Sequence, residues 1–190
     1  MLILNLGCGS NKIEGAVNVD IETSCKPDLI HNFTHVPLPY GEGSVDRVYL
    51  FHVIEHIPKK LHRFVLSEIS RVLKPGGEFY VSYPEFIECA KRYIENTEAK
   101  RDFWEATLYG RQLYESDFHV ALMFTPHFLE SLREFGFSRV IAHPEPEEYN
   151  TVVFAVRANG KVQTIEENYN ATWRLPDAQK VIAPVDTSTL

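Results

Sequence analysis

Cysteine is scarce in this chain of 190 residues, and the three present, Cys8, Cys25 and Cys89, have neither paired nor metal-like spacing. That excludes a disulfide framework and reads as reduced thiols, so a cytoplasmic setting is expected. Long apolar runs are missing too. Nothing approaches the roughly 18 consecutive apolar residues of a membrane span, so no membrane association is expected. Met1 enters an apolar strand directly, which gives no expectation of a secretion signal. Basic residues are in the minority, 19 Lys and Arg against 26 Asp and Glu, for a net charge of -7. Non-specific nucleic-acid binding is therefore a poor expectation. Lys59, Lys60, His62 and Arg63 form one small basic cluster, which reads as a solvated helix face. What remains is a chain with 44% apolar and 12% aromatic residues, enough for one domain with a substantial core.

The most informative segment is at the start. Leu2-Ile3-Leu4-Asn5-Leu6 runs into Gly7-Cys8-Gly9, and a second apolar strand, Val17-Asn18-Val19, ends in Asp20. A buried parallel strand that ends in a turn without Cβ atoms lets a ligand lie against the backbone. A carboxylate closing the next strand is placed to accept hydrogen bonds from a ribose diol. The spacing argues against a dinucleotide, whose fingerprint has three glycines and an acid roughly 20 residues further on. Here Asp20 follows Gly9 by only eleven positions, leaving room for one helical turn at most and little helix dipole for a diphosphate. A cofactor with ribose and adenine but no phosphate suits the loop better. S-adenosylmethionine is the common one, with NAD a weaker choice.

Further along, Asp28–Phe33 and Asp46–His52 read as strands. Pro58 suits the start of an amphipathic helix on which Leu61, Phe64, Val65, Ile69, Val72 and Leu73 recur at three- and four-residue steps. Lys74-Pro75-Gly76-Gly77 is expected to stop it, and Glu78–Pro84 to form a fifth strand. The pattern resembles the small class I S-adenosylmethionine-dependent methyltransferases. The resemblance rests on Leu4–Gly9, Asn18-Val19-Asp20, Pro37-Leu38-Pro39 before Ser44-Val45-Asp46, His52-Val53-Ile54-Glu55-His56-Ile57, and Leu66–Gly77. It covers roughly residues 1 to 157.

The resemblance implies an α/β, Rossmann-like fold with a doubly wound, mostly parallel seven-stranded sheet. Its strand order would be 3-2-1-4-5-7-6 with the last strand antiparallel, and no helix would precede strand 1. The implied cofactor is S-adenosylmethionine, with S-adenosylhomocysteine as product. Gly7 and Gly9 would face its methionine part, Asp20 would hold the ribose hydroxyls, and Asn32 would stand near adenine, where the family usually has an acid. Asn5, Cys8, Ile21, Phe33 and His52 complete the expected cofactor side. The alternative is a non-catalytic S-adenosylmethionine- or nucleoside-binding module on the same fold.

The second half is less patterned. Residues 86–110 read as two helices or one bent helix, and 111–124 has no clear period. Thr125 is expected to cap a helix with Pro126 at its first position. Phe137–Ala142 and Thr151–Arg157 are expected to form a closing hairpin. The irregular insert of about 83–124 is where an acceptor pocket is expected, because loops at the carboxyl edge of such a sheet carry specificity. His119 is the candidate base, with Asp117 to orient it. Tyr83, Tyr109 and Tyr114 are candidates to position the acceptor, and Arg111 to bind an anionic group on it. His52-Val53-Ile54-Glu55-His56 matches an H-x-x-E-H zinc pattern, but His52 falls at a strand end, off the required helix face, so no metal is expected. Neither an Asp/Asn-Pro-Pro-Tyr/Phe segment nor a Pro-Cys pair follows the fourth strand. The expected acceptor is an oxygen or nitrogen of a small molecule, sugar or peptide, acted on by a monomer or homodimer. Residues 158–190 read as an extended or partly disordered tail in which Trp173 is docked.

Overall fold

The computed structural model describes residues 1–95, 100–113, 115–144 and 149–160. Seven strands form one sheet in the order β3-β2-β1-β4-β5-β7-β6. The first four are β1 (Ile3–Leu6), β2 (Val17–Asp20), β3 (Leu29–Ile30) and β4 (Val45–Phe51). They run parallel to one another and to β5 (Leu73–Pro84). The hairpin of β6 (Phe137–Pro144) and β7 (Asn150–Arg157) closes the sheet, with β7 antiparallel to both neighbours. The helices are α1 (Lys59–Val72), α2 (Phe86–Glu95), α3 (Arg101–Tyr109) and α4 (Thr125–Glu134). Among the described residues, no helix is long and apolar enough to cross a membrane.

One face of the sheet is continuous core: Leu4, Leu6, Val19, Val48, Leu50, Phe79 and Val81 are in register and all fully buried, while Arg47, Tyr49, Glu78 and Tyr80 on the other face are only half-buried. On α1 the stripe Val65, Leu66, Ile69 and Val72 is buried, and the helix begins directly after Pro58. The segment after α1 departs from expectation. Lys74-Pro75-Gly76-Gly77 lies within β5, whose Leu73 already pairs with Val45 across a register shift. The third strand shrinks to two residues, and of the two helices or one bent helix expected over 86–110 the described residues form two, α2 and α3.

The polar side chains of the α1 segment have structural work. Glu68 is buried and accepts from Leu38 N at 2.7 Å and from Arg71 Nε and Nη2 at 2.7 and 2.6 Å. Arg71 Nη2 also donates to Leu38 O at 3.2 Å. The pair clamps the helix to the proline-rich loop that leads into β4, at the end where β4 begins.

His62, in the interior of α1, is 4% exposed. Its Nε2 donates to Ile57 O at 2.9 Å, and its Nδ1 has no hydrogen-bond partner among the described residues. Burial, helped by the nearby Lys59 ammonium, pushes its pKa down to about 4. In the unfolded chain a histidine titrates near 6.5, so below that pH the unfolded state takes up the proton first. Stability is whole above pH 6.5 and falls as pH drops toward 4, by about 3 kcal/mol from this residue. Urea unfolding of the parent and of His62→Leu at pH 7 and pH 4.5 tests this. The variant should lose most of the difference between the two pH values, and an identical pH slope in both would refute it.

Candidate cofactor and acceptor site

The parallel register brings the carboxyl ends of β1, β2 and β4 to one edge of the sheet, where ligands of such folds bind. After Leu6 the chain turns back onto β2, with Gly7 N and Cys8 N both donating to Val19 O, at 2.8 and 3.1 Å. Gly7 and Gly9 have φ of 67° and 48°. A Cβ at Gly7 would lie 2.5 Å from Val53 Cγ2, whereas one at Gly9 would meet no atom within 4 Å. Gly7 is thus required by the packing of the loop against the end of β4. Gly9 faces open space at a backbone that a ligand can approach.

Asp20 is 7% exposed, and both its oxygens are engaged. Oδ2 accepts from Gly9 N at 2.7 Å and Oδ1 from Glu22 N at 2.9 Å. In the fold the acid closes the glycine turn, and each oxygen keeps a further lone pair. Asn5 Nδ2 donates to Asn11 O and to Asn18 Oδ1, both at 2.9 Å. Asn18 in turn spans Ile13, Ala16 and Asp28. Those bonds from the Asn18 backbone and side chain hold the Asp28 carboxyl below its usual range. The two asparagines therefore shape the loop from within. Cys8 is buried, and burial first and Asp20 second raise its thiol pKa.

The other expected cofactor residues divide. Ile21 is exposed beside Asp20. Asn32 is exposed, and its Oδ1 accepts from Thr34 N and Thr34 Oγ1 in a tight turn. Phe33 is buried in the hydrophobic core. His52 follows β4 with φ of 54°, a conformation in which non-glycine residues are uncommon and functional strain collects. Its backbone N donates to Ser82 O at 3.0 Å.

Beyond His52, a short 310 turn, Ile54–His56, meets the segment after α3. Val120 N and Ala121 N both donate to Glu55 O, at 2.9 and 3.0 Å, and His119 N donates to Tyr109 O at 2.9 Å. These backbone bonds bring His119 against His56, with ring centroids 4.6 Å apart and edge to face. His56 Nδ1 donates to Phe118 O at 3.0 Å. The His119 pKa is lowered by burial, with Glu55 opposing and His56 adding to the shift. Glu55 is 2% exposed and neither carboxylate oxygen has a hydrogen bond among the described residues. His52 Nδ1 stands 3.4 Å from Oε1. Glu55, Thr107, His119 and Met123 help to line a small cavity behind this group.

His119 thus sits with Glu55 and His56 rather than with its expected orienting partner. Asp117 is buried, accepts from Leu113 N at 3.2 Å and lies 3.6 Å from Arg111 Nη2. Tyr83 is corrected from acceptor wall to core. It is fully buried, packs edge-on against Phe128 and donates to Thr125 Oγ1 at 3.3 Å, and burial raises its pKa. Thr125 is itself the first residue of α4 and makes no cap bond. Tyr109 and Arg111 are exposed near the site, and Tyr114 lies outside the described residues, as does Trp173. Glu55 and His56 were missed as partners of His119, although the H-x-x-E-H spacing marked them. The two halves of the site touch where Ser116 Oγ donates to Glu22 Oε1 at 3.3 Å.

Comparison with known proteins bears on the domain and the fold. Residues 4–81 match a family model described as a methyltransferase domain. The Mycolicibacterium smegmatis protein named "Probable S-adenosylmethionine-dependent methyltransferase" is 49% identical over 61 residues, 32% of this chain and 22% of that protein. The match thus spans about a fifth of that curated relative. A S-adenosylmethionine-dependent methyltransferase from Methanosarcina mazei superposes with a TM-score of 0.59 at 18% identity, over 84% of this chain and 93% of the other. The Burkholderia thailandensis 1,6-didemethyltoxoflavin-N1-methyltransferase, solved with 1,6-didemethyltoxoflavin and S-adenosylhomocysteine, gives 0.55 at 15% identity, over 83% and 71%. At these identities the structural likenesses speak for the fold.

Proposed function

We infer that this chain is a class I S-adenosylmethionine-dependent methyltransferase that moves a methyl group to an oxygen or nitrogen of a small molecule, sugar or peptide. The observation that carries the reading is one edge of one sheet. There the glycine turn closed by Asp20 packs through Gly7 on Val53, and Val53 leads directly into the turn that carries Glu55 and His56, which stand with His119.

The cofactor fits these residues. Gly9 presents backbone with no side chain in the way, and Asp20 keeps lone pairs for ribose hydroxyls after bonding the turn. When bound, S-adenosylmethionine supplies a methyl group on a positively charged sulfur. Ile21 and Asn32 flank the ribose and adenine end, and Gly7 and Cys8 the methionine end. Glu55, His56 and His119 align the acceptor and take up the proton that a hydroxyl or ammonium sheds. Tyr109 and Arg111 border the entrance on the acceptor side, with Arg111 suited to an anionic group on the acceptor. A non-catalytic binding module would have no use for a buried carboxylate and two imidazoles beside the cofactor turn.

Calorimetric titration with S-adenosylmethionine, S-adenosylhomocysteine and NAD tests the cofactor. Micromolar binding of the two sulfur nucleosides without NAD is expected, and binding of neither would overturn the reading. Asp20→Ala removes a charged acceptor and should weaken S-adenosylmethionine by about 1–3 kcal/mol, roughly 5- to 150-fold. Unchanged affinity would take Asp20 out of the ribose site and leave it only the turn.

A further inference from the structure

We propose that Glu55, His56 and His119 form a binding site for one divalent transition-metal ion, which holds a hydroxyl oxygen of the acceptor next to the cofactor turn. One ligating atom from each of the three residues lies within 4.8 Å of the others. A tetrahedral ion with bonds of about 2.1 Å keeps its ligands roughly 3.4 Å apart, so small side-chain rotations close the set.

Three independent features point to a cation. The first is the Glu55 carboxylate, 2% exposed, with no hydrogen bond to either oxygen among the described residues. A carboxylate in that position is costly unless a positive charge meets it. His52 Nδ1, 3.4 Å from Oε1, approaches from the exposed lip and is placed to be a fourth ligand or a second partner.

The second is the anchoring of one imidazole. His56 Nδ1 donates to the Phe118 carbonyl at 3.0 Å. A ring nitrogen held by a backbone carbonyl fixes the tautomer and leaves the other nitrogen with its lone pair, the usual outer arrangement of a metal-binding histidine. The third is that the rings meet edge to face at 4.6 Å, too close for both to carry charge comfortably but suitable for two neutral ligands. Two imidazoles and one carboxylate form a donor set for zinc, iron, cobalt or manganese rather than an oxygen-only set for calcium. The three residues leave coordination positions for an acceptor oxygen, which the ion would orient and make more acidic. The ion's purpose rests on the proposed methyl transfer, but its binding does not.

The test uses the full chain, stripped with a chelator and titrated by calorimetry with zinc chloride and separately with manganese chloride, without nucleoside. One ion per chain is expected. Glu55→Gln and His56→Ala should each weaken it by at least the roughly 100-fold that outer-shell changes reach at metal sites. His143→Ala, on the edge strand β6, should leave it unchanged. His56 is only half-buried, so its variant stays informative if the Glu55 variant misfolds. Absence of ion binding, or binding insensitive to both substitutions, would overturn the site. S-adenosylmethionine binding without ion binding would sink the metal site alone, and the reverse would sink the methyl-transfer reading alone.

Discussion

Replacing His119 with alanine should slow methyl transfer by roughly 10²–10⁴-fold and leave S-adenosylmethionine affinity nearly unchanged. The residue stands on the proposed acceptor side of the sheet edge, against His56 and within the field of Glu55. The Gly7 and Asp20 contacts that form the cofactor turn are made with Val19, Gly9 and Glu22 and do not involve it. Its loss therefore falls on the acceptor. Either a proton acceptor or a metal ligand disappears, and both act on the same step. Single-turnover rates with saturating cofactor, beside calorimetry of cofactor binding, separate the two effects. Parent-like turnover in the variant would reduce His119 to a packing residue.

Gly110→Ala should be nearly as damaging, for a different reason. Gly110 has φ of 81° and ψ of 163°, a region essentially closed to residues with a Cβ, at a strain of order 1–3 kcal/mol. An added Cβ would also lie 2.0 Å from Asp117 O and 2.9 Å from His119 N. Those atoms are backbone and cannot swing away, so the turn from Gly110 to His119 has to open. Displacing a catalytic side chain by about 1 Å can lower a rate by about 10²-fold. Turnover should fall by about that factor, with a lower melting temperature. Assay of kcat beside thermal unfolding reads both, and a fully active variant would mean that His119 does not depend on this turn.

The fold was legible because its signals are local. Gly7 and Gly9 end a strand, Asp20 ends the next, and the apolar steps of α1 are periodic, so chain order alone suggests the sheet. Glu68 and Arg71, which were quoted for resemblance, prove to be a buried clamp on Leu38. The site was only half legible. His119 stood out by type, but its partners Glu55 and His56 are more than sixty positions earlier, and what joins them is backbone bonding that leaves no pattern of residue types. Tyr83 misled because an aromatic side chain at a sheet edge serves core and pocket equally well until its neighbours are known. Thr125 misled in the same way. Its hydroxyl takes a bond from Tyr83, and the helix starts without using it.

The way in which Val120 and Ala121 hold Glu55 has an evolutionary consequence. Both amides reach the Glu55 carbonyl, main chain to main chain, so the attachment is indifferent to which side chains the segment carries. Phe118, Val120 and Leu122 are exposed around His119 and can be exchanged without moving it. On the proposed function, a lineage can change its acceptor by rewriting the rim while inheriting the Glu55, His56 and His119 group intact.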